Sequence, residues 1–231
     1  MKSKIILGTI ALLSIAGIYS FVQKANKVAI VSPASNATSS IDTKNASVIT
    51  ENNMPVIIGE ITKSPSVEPK IPVPNLSRAI TFPATFTDVQ KKDAQEKLDA
   101  IIKTLKASKS DFNGWIDLGL YRKLIEDYDG ARLAWEYAGA LQPTNSLPFL
   151  NLANLYGYYI HDNIKAENYF AKAIKVDPTT EYLYFMAENF YQDALKDIPK
   201  AISVVEQGIK AIPSSIELRA LKTSLLTQQS H

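Results

Sequence analysis

Glu126, Asp127 and Asp129 cluster in one turn of the sequence, the kind of grouping that a hard cation would use. They also open a helical pattern, where short carboxylates accept free backbone N–H groups, and a metal would need more oxygen ligands than this turn supplies. His161 falls in a turn between helices and His231 at the last position, so the two histidines form no pair at metal-ligand or general-base spacing. The chain has no Cys, hence no thiol nucleophile and no disulfide. It has no G-x-S-x-G elbow and no phosphate-cradling glycine loop, and its serines concentrate near the amino terminus. On these residues the expectation is a protein that is not an enzyme and uses no cofactor and no metal.

The stronger signal is structural. Ala131, Ala166 and Ala201 stand 35 residues apart. Trp135, Phe170 and Val205 follow each of them at the same offset, as do Ala138, Ala173 and Gly208, and Pro143, Pro178 and Pro213 close each unit. A fixed period of small, large, small and proline describes one supersecondary unit copied in series, which predicts an all-α solenoid rather than a single-cored globule. Asp127, Asp162 and Asp197 each precede a second helix as N-caps, and the prolines bias Gln142, Asp177 and Ile212 away from helix.

Trp115, Leu118 and Gly119 occupy W-x2-L-G spacing, followed by Ala131-x3-Trp135 and Pro143, and this resembles the tetratricopeptide repeat family. Phe149, Leu152, Ala153 and Tyr156 take the matching places in the second unit, and Tyr184, Ala187, Glu188 and Tyr191 in the third. The first unit departs where the family has a tyrosine, placing Arg122 there with Tyr121 one position early. The resemblance implies three helix hairpins, over residues 111–145, 146–180 and 181–213, with the named aromatics as packing groups. The family's usual unit is one residue shorter than the period here, and the extra residue is expected in the inter-helix turns, Tyr159 to Asn163 and Lys196 to Pro199.

Caps are expected at both ends of the array. Thr87-x-x-Gln90 reads as a capping box opening a helix over residues 88–107, with Leu98, Ile101, Ile102 and Leu105 as its apolar stripe. Ser214-x-x-Glu217 opens a last helix over 214–228, with Leu218, Leu221 and Leu225 inward. The repeat domain spans 78–231, and Arg78 to Thr87 is apolar enough to pack against its first helix.

Ahead of the domain, Lys2 and Lys4 (residues 1–4) precede an uncharged apolar run, residues 5–23, followed by Lys24 and Lys27. About 18 apolar residues at roughly 1.5 Å each nearly span a hydrocarbon core, so the run is predicted to be a transmembrane signal anchor. It lacks a clean A-x-A cleavage site; secretion after signal cleavage is the alternative. The free amino terminus adds to Lys2 and Lys4, which places the short tail in the cytoplasm and the repeats outside the cell membrane. Residues 24–77, rich in Ser, Thr, Asn, Val and Pro, read as a disordered tether. Asn36, Asn45 and Asn75 begin N-x-Ser/Thr sequons, which matter only in a host that glycosylates. Residues 1–87 hold 8 Lys/Arg against 4 Asp/Glu, whereas residues 88–231 hold 17 against 19. The repeat domain therefore lacks the basic footprint of a nucleic-acid binder.

The resemblance further implies that the first helix of each unit lines a concave groove. Helical spacing then selects Asn113, Ile116, Leu120 and Lys123 in the first unit, and Leu147, Leu150, Asn154 and Tyr158 in the second. In the third it selects Tyr182, Phe185, Asn189 and Gln192. Asn154 and Asn189 share one repeat position, and their amides can both donate to and accept from the backbone of an extended peptide. The candidate partner-binding set is Asn113, Leu120, Lys123, Leu150, Asn154, Tyr158, Tyr182, Phe185, Asn189 and Gln192. The expected function is that of a membrane-tethered bacterial scaffold for a protein or peptide of the cell envelope, with no nucleic acid and no small-molecule substrate. The alternatives are a self-associating spacer of an envelope complex and a non-catalytic subunit of an enzyme complex. The two-carboxylate clamp of chaperone-binding family members is absent, since Ile116 and Leu120 stand where its first pair would be.

Overall fold

The structure is a computed structural model and describes residues 70–229. The expected tail, residues 1–4, the anchor, 5–23, and the tether up to residue 69 lie outside the described residues. Among the described residues there are eight α-helices and no strand, and no helix is long and apolar enough to cross a membrane.

Local chemistry sets the helix ends. α1 (Asp88–Ala107) opens at Thr87, whose hydroxyl accepts from the Gln90 N–H while the Gln90 side chain accepts from the Thr87 N–H, a closed capping box. α2 (Phe112–Leu124) and α3 (Tyr128–Leu141) form the first hairpin, α4 (Leu147–Leu155) and α5 (Asn163–Val176) the second, α6 (Glu181–Asn189) and α7 (Ile198–Ala211) the third. Asp127, Asp162 and Asp197 cap α3, α5 and α7, each carboxylate accepting one backbone N–H at 2.9–3.1 Å. At the other end Gln142, Asp177 and Ile212 share one extended conformation ahead of the three prolines, with φ of −130°, −137° and −128°. α8 (Ile216–Gln229) closes the array. Its cap is Ser215, whose hydroxyl accepts from the Leu218 N–H, and not Ser214 as expected. Ser215 is the buried one of the two serines, so packing selects between neighbours that the sequence leaves equivalent.

Each helix packs on its neighbours in the chain, α1 on α2 and so on to α7 on α8. The small residues of the repeat, Ala131, Ala138, Ala166, Ala173 and Ala201, are fully buried at these crossings. Trp115, Trp135, Phe170 and Tyr184 fill the space between, and three satisfy their polar atom on backbone. Trp115 Nε1 donates to the Lys109 carbonyl, Trp135 Nε1 to that of Ile116, and Tyr184 Oη to that of Pro178.

The turns correct one expectation. Glu126, His161 and Lys196 each adopt a left-handed conformation, with φ of 63°, 60° and 55°, immediately before the capping Asp, so all three turns are built alike. The extra residue of the second and third units instead widens the end of the first helix into a π turn, Tyr156–Ile160 and Phe190–Ala194. The closing hydrogen bonds record it. The Asp127 N–H reaches back to the Arg122 carbonyl, five residues earlier, whereas Asp162 and Asp197 reach six residues back to Tyr156 and Tyr191. Because a side chain at left-handed φ is strained, Lys196→Gly is expected to stabilise the domain by about 0.5–1 kcal/mol. Its thermal midpoint should rise by a few degrees; a fall would show that Lys196 makes contacts that outweigh the strain.

The leading segment is pinned to the stack. Leu76, Ile80, Phe82 and Phe86 pack against the core. Arg122, 2% exposed, donates to the Ala79 and Arg78 carbonyls at 2.7 and 2.9 Å and to Asp127 at 3.1 Å. Arg78 in turn pairs with Asp127 at 2.8 Å and with Asp129 at 3.1 Å. The departure at Arg122 from the family's tyrosine thus holds a strap of chain, residues 70–87, on the first hairpin.

Candidate functional site

The first helices, α2, α4 and α6, carry two kinds of side chain. Trp115, Leu118, Phe149, Leu152, Leu183 and Tyr184 turn inward and are buried. The residues selected by the groove register are mixed. Asn113 and Asn189 are exposed, Leu120, Lys123, Asn154, Phe185 and Gln192 half-buried, and Tyr158 and Tyr182 each 36% exposed. Leu150 and Ile116 are buried and contribute packing, while Leu147 sits half-buried against the core.

Three pairings bring this surface together along the stack. The Lys123 ammonium lies 5.1 Å from the centre of the Tyr159 ring, which also meets Tyr128 at 5.4 Å. The Tyr158 ring stands edge-on to Phe190 of the next π turn, at 6.0 Å and 81°. Gln192 donates to the Gln228 side chain at 2.9 Å, which carries the face onto α8. Tyr158 and Tyr159, adjacent in the same π turn, thus reach to different neighbours, Tyr158 to Phe190 of the third hairpin and Tyr159 to Tyr128 of the first.

Burial alters several of these groups. Loss of solvent lowers the pKa of Lys123, which no carboxylate offsets. Burial, with the negative charge of Asp193 and Glu188 nearby, pushes the Tyr158 hydroxyl up to about 12. Glu188 is 2% exposed and its Oε1 has no hydrogen-bond partner, and the Asn154 Oδ1 is likewise buried without one. Register alone missed Glu188, although its position was a signal: Gly119 and Ala153 occupy the same place in the other units.

Burial, and then repulsion from Asp193, raise the Glu188 carboxyl above its ordinary range. The folded state therefore holds that proton more tightly than the unfolded chain, so the contribution of Glu188 to stability is full below the unfolded pKa of about 4.3 and is lost as pH rises through the higher folded value. Glu188→Gln should erase this loss. Denaturation of both proteins from pH 4 to 8 should show the stability of the variant gaining on the original as pH rises; a constant difference would contradict the assignment.

A concavity of about 510 Å³ lies between α3 and α5, lined by Arg132, Glu136, Tyr156, Lys165, Asn168, Tyr169 and Lys172. Its charges are already engaged. Arg132 pairs with Asp129 and Glu136, Lys165 pairs with Asp162, and Lys172 lies over Phe149, so this is a stabilised seam between hairpins. Among the described residues no group of three or more His, Cys, Asp or Glu side chains is placed to hold a metal ion.

No family model matches the chain. Over 77 residues it is 34% identical to Superkiller complex protein 3 of Homo sapiens, a protein that contains tetratricopeptide repeats; the match covers 33% of this chain and 5% of that one. The stacked hairpins, the recurring sequence pattern and this likeness together fit a tetratricopeptide-like fold and point to a role in protein interaction.

Proposed function

We propose that this chain is a membrane-tethered scaffold without catalytic activity, whose helical domain grips a segment of a partner protein along the face made by α2, α4 and α6. The observation that carries the reading is the placing of Tyr158 and Tyr182. Both are large rings left 36% open to solvent on the side of the hairpins formed by the first helices and their π turns, where Trp115, Phe149 and Tyr184 are buried. Half-buried Phe185 and Asn154 and exposed Asn189 give the same helices apolar contact area and amides able to bond a peptide backbone.

The tether belongs to the same proposal. Residues 5–23 anchor the chain, residues 1–4 stay in the cytoplasm, and the domain faces outward, where a partner in a secretion, pilus or wall-assembly complex would be met. The free amino terminus beside Lys2 and Lys4, on a tail too short to translocate readily, supports this orientation.

One experiment tests both parts. Tagged full-length chain is cross-linked in native membranes, extracted, and its partners recovered, with Asn154→Ala/Asn189→Ala compared against the original. Recovery should drop about tenfold while the thermal midpoint moves by no more than a few degrees, and the protein should leave the membrane with detergent but not with alkali. Undiminished recovery by a folded double variant removes the groove; release by alkali removes the anchor.

A further inference from the structure

The exposed edge of this face carries unneutralised charge of opposite sign at its two ends. At the first hairpin, Lys123 sits half-buried over Tyr159, and among the described residues its ammonium forms no ion pair. Other described lysines without an ion pair, such as Lys97, Lys103, Lys106 and Lys109, are exposed to water, whereas Lys123 is half-buried. Glu126, three residues on, is exposed and makes no ion pair with it. At the third hairpin the sign reverses. Asp193 is exposed near the end of the π turn without an ion pair among the described residues, and it repels the carboxylate of Glu188, whose Oε1 has no hydrogen-bond partner. Between the two ends the Tyr158 ring stands against Phe190, and the two π turns touch one another.

A desolvated ammonium without a counter-charge and a carboxylate pair without a cation are each unfavourable in the free domain. An occupant that supplies the missing charges relieves both, and an apolar group between them would cover the open ring. We propose that the partner segment is an extended peptide with an acidic residue that pairs with Lys123, a basic residue that pairs with Asp193, and an apolar residue between them on Tyr158. This rests on the scaffold reading above and specifies the partner for it. Neighbouring helices pack about 8–10 Å apart, so the two charges lie roughly 20 Å from each other, and an extended chain at about 3.3 Å per residue covers that in about six residues. The lowered pKa of Lys123 and the raised one of Glu188 agree with charges that lack partners.

A randomised nine-residue peptide library, selected on the full chain in detergent micelles and counter-selected on Tyr158→Ala, decides the matter. The expected result is enrichment of Asp or Glu and Lys or Arg about six positions apart. The same selection on Lys123→Glu should exchange the acidic residue for a basic one. Should that variant unfold, Lys123→Gln serves instead and should bind the enriched peptides about tenfold more weakly. Enriched peptides that depend on Tyr158 but lack this charge pattern, or keep it unchanged against the Lys123 variants, overturn this proposal and leave the groove standing. No enrichment, or enrichment indifferent to Tyr158→Ala, overturns the groove as well.

Discussion

Asp127→Ala should destabilise the domain by about 3–5 kcal/mol, far more than the same change at the equivalent caps, because it strands a buried cation. Arg122 is 2% exposed, and Asp127 is its carboxylate partner at 3.1 Å. The same carboxylate also accepts the Gly130 N–H at 3.0 Å and binds Arg78 at 2.8 Å. Removing it leaves Arg122 desolvated with only the Ala79 and Arg78 carbonyls, and leaves Arg78 held to the turn by Asp129 alone. Asp197 provides the internal comparison, since it caps α7 through the Lys200 N–H at 2.9 Å but neutralises no buried charge. Asp197→Ala should cost about 1 kcal/mol, the worth of a cap. Urea denaturation of the two variants, with hydrogen exchange followed over residues 76–86, checks the contrast. Equal losses, or a strap that stays protected in Asp127→Ala, would mean that the clamp contributes nothing.

The second large effect is expected at Gly119. A Cβ there would collide with the Trp135 ring at Nε1, Cε2 and Cδ1, both residues being buried between α2 and α3. Gly119→Ala should therefore cost about 3 kcal/mol through overpacking. The repeats carry the remedy in their own sequences. The pair Gly119 and Trp135 becomes Ala153 and Phe170 in the second unit, and Glu188 and Val205 in the third, the first-helix residue growing as its second-helix counterpart shrinks. Adding Trp135→Phe, which alone forfeits the hydrogen bond to the Ile116 carbonyl, should then recover stability in the Gly119→Ala background. If the two losses simply add, the residues do not share the space assigned to them.

Much of the helical order could be read from the chain because it depends on short-range chemistry. An aspartate whose carboxylate reaches an N–H three residues on, or a proline that fixes the residue before it, needs no knowledge of the rest of the molecule. Features decided across the fold were not readable. Arg122 reads as a mere lapse from the family motif because two of its partners, Arg78 and Ala79, lie more than 40 residues away. The choice of Ser215 over Ser214 depends on which faces the core, and a π turn leaves no compositional trace. The site follows the same division. Repeat register picked out first-helix positions, among them Tyr158, Tyr182 and Asn189, which are exposed. It could not tell that Leu150 is buried or that the oxygens of Asn154 and Glu188 go without partners, since those depend on how tightly neighbouring hairpins close.

The widened helix ends bear on how this chain is aligned with arrays of ordinary period. One residue added to a regular α-helix would rotate everything after it by about 100° about the helix axis, whereas a π turn absorbs it locally. Residue correspondences therefore hold through Tyr156 and Tyr191, slip by one position beyond them, and return to phase at Asp162 and Asp197. A sequence profile that forbids an insertion there will assign Tyr158, Tyr159 and Asp193 the roles of their neighbours.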